Sequence, residues 1–367
     1  MQSCRRPSPR KCARLAASPR PAPCPMAAWS LRAVALGAVA AVPLVLLLQG
    51  CGQDDTSTVA SLAPQTTTTA APANASGSNS SRRLGSFLVI GDWGWDPLSH
   101  GHITSRTCQQ AVADAMAEKV RELGDVKFVV NVGDSFYPDG VTNRSDPQWS
   151  SKWRDVYPAE VRAVPWYSVY GNHDYHADPC VCSERLEDCA QINDNISNLD
   201  YFYMPNTSWF REHPELNAEV IALDMNYYTW VNYTCGNTPC PSQCRHNLKV
   251  RMDAAFDLFY ERARRSEARN LVVFSHYPTD YFWGFPDFLA ELSNSSRHHV
   301  EYFGGHRHNV DQRSCTSTAP NSNWLVGGGG GWGCEPHYGQ EQGFVVGEIG
   351  TGGLRTYPVL VNYSLCC

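Results

Sequence analysis

Nine apolar, β-rich runs, helical periodicity between some of them, and a strand-dense C-terminal part predict a layered α/β fold. Two mixed sheets flanked by helices, a four-layer α/β/β/α sandwich, accommodate that order. A composition of 43% hydrophobic residues over 367 supports one large core or two modest ones. The expected strands are 86–92, 127–134, 166–174, 219–226, 271–278, 300–308, 323–331, 344–350 and 355–363. Between the first two, residues 106–123 place Cys108, Val112, Ala115, Met116, Val120 and Leu123 on one helical face. Residues 248–265 do the same with Leu248, Met252, Ala255, Phe256 and Phe259.

The N-terminal part has a different composition. Residues 1–25 hold six Arg or Lys and no acid, so the remainder carries −6 − 6 = −12, a poor surface for a polyanion, and no nucleic-acid partner is expected. The run AVALGAVAAVPLVLLL (33–48) is short for a membrane span and suits a signal-peptide core, with Met26 as an alternative start. Residues 1–51 therefore read as a basic segment plus signal peptide or signal-anchor, the only membrane contact expected. LLLQGC also resembles a bacterial lipoprotein site at Cys51. Eight N-x-S/T sequons (Asn74, Asn79, Asn143, Asn195, Asn206, Asn232, Asn294, Asn362) argue instead for a glycosylated secretory protein. Fifteen cysteines without His partners at zinc-finger spacing read as disulfides. Residues 52–83, rich in Ser, Thr, Ala and Pro, read as a disordered linker, leaving 84–367 as the folded domain.

The polar residues fall at the ends of the apolar runs. Asp92, Asp134, Asn172 with His173, Asp224, His276, and His306 with His308 each follow such a run. Strand ends of α/β sheets are where ligand sites form, and a preceding glycine permits the turn that re-aims the side chain. Singly, GDWG is a common turn, GNHD an even choice between Asx turn and site, and SHYP a strand-end histidine. GGHRH is more specific, because His at i and i+2 on an extended segment project to one side. As an ordered set, D-x-G, G-D-x-x-Y, G-N-H-D, V-x-x-H and G-H-x-H supply seven donors: Asp92, Asp134, Tyr137, Asn172, His276, His306 and His308. Mixed oxygen and nitrogen donors without thiolate suit two ions sharing one carboxylate, about 3.5–4 Å apart.

This set, with VGDSFYPDG, AVPWYSVYGNHD, SHYP and GHRHNV, resembles the metallophosphoesterase superfamily and, through Tyr137, its purple acid phosphatases, most like the small tartrate-resistant branch. The resemblance implies the metallophosphoesterase sandwich over residues 84–363. It implies iron(III) on Asp92, Tyr137 and His308, a divalent iron, zinc or manganese on Asn172, His276 and His306, and Asp134 bridging. It further implies hydrolysis of small phosphomonoesters in acid by a metal-activated water, in a secreted, cell-surface or lysosome-like monomer. His173 would face the phosphate. Where the family often has further histidines, this chain has Tyr175 and Phe285, leaving His173 and His176 as candidate acids for the leaving group. The aromatic stretch 281–288 reads either as a rim for an aryl or nucleoside group or as ordinary packing. Residues 228–247, with three cysteines, fall where relatives carry a protease-sensitive covering loop and are expected to form a loop stiffened by disulfide. A nucleotide- or diester-cleaving relative and a non-catalytic iron-binding glycoprotein are the competing readings.

Overall fold

The computed structural model describes residues 82–94, 105–177, 182, 185–227, 231–236, 238–282, 284–293, 297–312, 322–329 and 341–366. The expected leader (1–51) and nearly all of the expected linker (52–83) lie outside the described residues. Among the described residues, no helix is long and apolar enough to cross a membrane.

The strands are β1 (Arg83–Ile90), β2 (Val126–Asn131), β3 (Trp166–Ser168), β4 (Trp209–His213), β5 (Ala218–Leu223), β6 (Asn270–Ser275), β7 (His299–Gly304), β8 (Ser322–Leu325), β9 (Gly343–Gly350) and β10 (Gly353–Leu360). The helices are α1 (Ser105–Leu123), α2 (Ala159–Arg162), α3 (Val231–Gly236), α4 (Pro241–Arg265), α5 (Pro286–Leu292) and α6 (Tyr363–Cys366). One sheet has the order β10-β9-β1-β2-β3 and the other β4-β5-β6-β7-β8. Both are mixed: β1, β2 and β3 run parallel, as do β5 to β8, while β9, β10 and β4 pair antiparallel.

Period-two alternation explains the layering. Phe87 and Val89 of β1 and Phe128 and Val130 of β2 share one buried cluster with Val220, Ala222, Val272, Phe274 and Phe303 of the second sheet. Their neighbours Leu88, Ile90 and Val129 face the other way, against Val112, Ala113 and Met116 of α1. Ile221, Leu223, Leu271 and Val273 pack outward against Met252, Ala255 and Phe259 of α4 and Phe288 of α5. The four-layer α/β/β/α sandwich follows.

Several expected elements shift. The strands β1, β2 and β7 stop before their polar ends, at Ile90, Asn131 and Gly304, because Asp92, Asp134, His306 and His308 leave the extended conformation. Arg83, read as the last linker residue, already begins β1. The edge strand β4, with alternating exposure in WFREH, was not expected. Residues 228–247 are not simply a loop: the described part holds α3 and the first turns of α4, joined by the Cys235–Cys244 disulfide. In the aromatic stretch 281–288, Phe282 and Phe288 are fully buried and the Phe285 ring lies 4.8 Å from that of Phe256, while Gly284, Pro286 and Asp287 are exposed. Two further disulfides, Cys108–Cys366 and Cys182–Cys189, accord with the reading of the cysteines.

Candidate metal centre

The site grows from turns that follow the carboxyl ends of parallel strands in both sheets, where side chains leave the core together. Among the described residues, five non-glycine residues have positive φ, and four of them, Asp92, Asp134, His306 and His308, are expected ligands. L-residues avoid this region, at about 1–3 kcal/mol each, so the surrounding contacts must impose it. Those contacts are visible. The Asp92 amide donates to the Gly133 carbonyl (3.0 Å) and the Tyr137 amide to that of Gly94 (2.7 Å), locking the first two turns together. The His306 amide donates to Asp92 Oδ2 (2.9 Å), tying the third turn to the first. Gly171 leaves room that no Cβ could share, because one there would lie 2.1 Å from Asp134 Oδ1.

Two groups of potential ligand atoms result. Asp92, Asp134 and His308 form one, and Asp134, His276 and His306 the other, each with atoms within 4.8 Å of one another. Asp134 belongs to both. Tyr137 Oη lies 3.1 Å from Asp92 Oδ1, from Asp134 Oδ2 and from His308 Nε2, completing the first group. Asn172 Oδ1 lies 3.1 Å from His276 Nε2, completing the second. His276 donates from Nδ1 to the Val132 carbonyl (3.0 Å), which turns the Nε2 lone pair toward the group. All seven expected donors therefore meet. His306 and His308 do not project to one side from an extended segment as expected: they follow β7 in left-handed turns and belong to different groups. Asp224 does not join them; it is buried and accepts from Asn226 and Tyr175.

The electrostatics of this cluster call for a cation. Burial, followed by the Asp134 charge, pushes Asp92 well above the usual carboxylate range, despite the pull of His276. Burial and the charges of Asp134 and Asp92 push the Tyr137 phenol up in the same way. Asp134 behaves oppositely: burial disfavours its charge, but His276 and His173 outweigh burial and hold it below its ordinary range. Burial would likewise lower His276, yet Asp134 raises it to about 9. Burial, then His276, lowers His306 well below the ordinary value. Burial thus disfavours the charged forms of Asp92 and Tyr137, a cost that bound cations would offset, and the donor set, oxygen and imidazole without thiolate, fits two of them.

His173 stands beside the cluster. Its amide donates to Asp134 Oδ1 (2.9 Å), its Nδ1 bonds the Pro138 carbonyl (2.6 Å), and its ring lies 4.7 Å from that of Tyr137. His176 is one ring further out, 5.0 Å from His173, with Nδ1 3.3 Å from Asp139. Burial, then His173, lowers its pKa. Tyr175 and Phe285 offer no acid there: Tyr175 is buried between Asp224 and Arg251, and Phe285 packs on α4.

Sequence reasoning missed the supports. Asp174 accepts from the Ser135 amide (3.0 Å), the Gly171 amide (2.9 Å) and Gln191 Nε2 (3.0 Å). Asn131 donates to Ser135 and Ser168 and accepts from Trp93 Nε1 (3.0 Å). A lone Asn inside the apolar run KFVVNVGD was the signal for the second. Tyr233 of α3 was also missed; its ring packs 5.0 Å from His176 and 6.3 Å from His173.

Fold and cluster together define a metallophosphoesterase. The calcineurin-like phosphoesterase family matches residues 85–310, over half of the chain, and the chain belongs to that family. Purple acid phosphatase 3 of Arabidopsis thaliana is 43% identical over 138 residues, covering 38% of this chain and 31% of the relative. Tartrate-resistant acid phosphatase type 5 of Mus musculus is 37% identical over 90 residues, covering 24% of this chain and 26% of the relative. The chain thus aligns with less than a third of the length of these relatives. A solved structure described as GAP50, the anchor in the inner membrane complex of Plasmodium, superposes with a TM-score of 0.51 at 20% identity. It covers 75% of this chain and 84% of that one, a likeness of fold alone.

Proposed function

We propose that the protein is a secreted acid phosphatase that hydrolyses small phosphate monoesters at a binuclear metal centre. One observation carries the reading: Tyr137 Oη lies 3.1 Å from each of Asp92, Asp134 and His308. A phenol in that position is a ligand for a hard trivalent ion, which points to iron(III) on Asp92, Tyr137, His308 and Asp134. Asn172, His276, His306 and the shared Asp134 would hold the divalent partner, iron(II), zinc or manganese. When bound, such a pair supplies positive charge for the phosphate oxygens and an activated water.

The chain's own residues orient the ester and handle its proton. Donation of Nδ1–H to the Pro138 carbonyl fixes the His173 ring and leaves Nε2 to face the phosphate. There the ring in its imidazolium form, with an N–H at both nitrogens, donates from Nε2 to a phosphate oxygen or delivers that proton to the leaving alkoxide. His176, its ring 5.0 Å from that of His173, acts as a positioning residue. The disulfides fit an oxidising, secretory compartment.

A second reading, a non-catalytic binder on the same scaffold, draws on the buried Tyr175 and the half-buried Phe285. One experiment separates the two. The full chain is produced in a secretory host, and its metal content, visible spectrum and hydrolysis of an aryl phosphate at acid pH are recorded. We expect a coloured protein with two metals that Tyr137→Phe bleaches. A colourless wild type with one metal and no hydrolysis sinks the proposal.

A further inference from the structure

We propose that Asn232 carries an N-linked glycan that stands at the mouth of the metal centre and confines the protein to small phosphate esters. The inference rests on the secretory phosphatase reading above and extends it to what the site excludes.

Three observations converge on Asn232. The tripeptide Asn232-Tyr233-Thr234 is an acceptor sequon. Within α3, Asn232 and Tyr233 are exposed while Thr234 and Cys235 are buried, so the acceptor amide stands on the outward face. The next side chain along, Tyr233, packs edge-on 5.0 Å from His176 and 6.3 Å from His173. His173 in turn donates its amide to Asp134 at 2.9 Å. The root of the glycan is therefore one residue from a ring that contacts both candidate catalytic histidines.

The root is also held in place. Cys235, three residues on, is bonded to Cys244 in α4, which itself packs against the second sheet. A branched, hydrated oligosaccharide on such a base sweeps the space in front of the mouth. A small ester passes beside it. A phosphorylated side chain on a folded protein must bring its whole surface to the same opening and meets the glycan first.

The test uses the full chain secreted from a glycosylating eukaryotic host. Occupancy is read by mass spectrometry of glycopeptides at Asn232 and at the exposed Asn195. Hydrolysis of an aryl phosphate and of a phosphorylated protein is then compared for wild type, Asn232→Gln and Asn195→Gln. We expect an occupied Asn232, and a rise in kcat/KM for the phosphoprotein of about five-fold or more in Asn232→Gln, with the aryl phosphate changed by less than about two-fold. Endoglycosidase trimming of the native wild type should reproduce that shift, and Asn195→Gln should not. An empty Asn232 beside an occupied Asn195 overturns the site, and an occupied Asn232 whose removal leaves the substrate ratio unchanged overturns its role. A protein with no occupied sequon overturns the secretory reading as well. One with Asn232 occupied that hydrolyses neither ester overturns the phosphatase reading and the exclusion built on it.

Discussion

Replacing Asp174 by asparagine tests whether one buried carboxylate sets the spacing of the metal ligands. Asp174 is 4% exposed and accepts from the Ser135 amide, the Gly171 amide and Gln191 Nε2, at 3.0, 2.9 and 3.0 Å. Ser135 follows Asp134 and Gly171 precedes Asn172, so the two amide bonds join the turns that present these two side chains, and the third ties both to Gln191. An asparagine keeps the shape but turns one acceptor oxygen into an NH2 group facing an N–H. At least one bond is lost and the others lose their charge assistance, each bond to a charged group being worth about 1.5–3 kcal/mol. Part is recovered, because burial and the nearby Asp134 already disfavour the ionised form and push its pKa up to about 6. The net expectation is a loss of about 2 kcal/mol in the metal-free protein, read from urea unfolding. Disturbing a group that orients ligands costs about 10–100-fold in metal affinity, a further 1.4–2.8 kcal/mol or so in the loaded protein. Chelator competition measures that loss directly. A variant with weakened stability but wild-type metal affinity and kcat would refute the positioning role and leave Asp174 a loop fastener only.

The remaining predictions probe other contacts. Gly171→Ala should abolish tight metal binding, because its Cβ would lie 2.1 Å from Asp134 Oδ1. Gly124→Ala, also at a glycine with positive φ but with nothing within 4 Å, should cost only about 1–2 kcal/mol and leave metal content intact; equal metal loss in both would refute the steric argument. Tyr175→Phe should destabilise the protein by about 1–3 kcal/mol, since Asp224 and Arg251 lose a shared hydroxyl, while kcat stays within about three-fold. A larger kcat drop would place Tyr175 in the reaction after all. His213 is lowered by burial despite the pull of Glu215, so its native form holds fewer protons than the unfolded chain. Its contribution to stability is complete above about pH 6.5 and declines as pH falls through the lowered native value. Urea midpoints at pH 7.5 and 5 should therefore differ less in His213→Gln than in wild type, and an unchanged difference would exclude His213 as a source of acid sensitivity.

What could be read in advance divides along physical lines. The starts of the strands were legible because alternation is local: Phe87 and Val89 face the opposite sheet while Leu88 and Ile90 face α1. Their ends were not, since the exit at Asp92 depends on a bond to Gly133 some forty residues away. A local ambiguity hid α5, which begins inside the aromatic stretch 281–288 that also suits a pocket rim, although Phe288, Leu289 and Leu292 have helical spacing. Cysteine spacing signalled a cross-link in 228–247 but could not signal that the linked segments are helices. The candidate donors were legible because each of the five motifs that carry them follows its own apolar run. The motif G-N-H-D set His173 toward the phosphate, but the choice between His173 and His176 as acid for the leaving group was not legible, because both sit after one turn. Distant contacts separate them. The Pro138 carbonyl, 35 positions upstream, holds His173 against Tyr137, whereas Asp139 and Tyr233 hold His176 one ring further out. Catalytic assignment here is a property of loop–loop geometry, so His173→Ala should remove far more of kcat than His176→Ala. Equal losses from the two would mean that the second ring shares the proton and the geometric ranking fails.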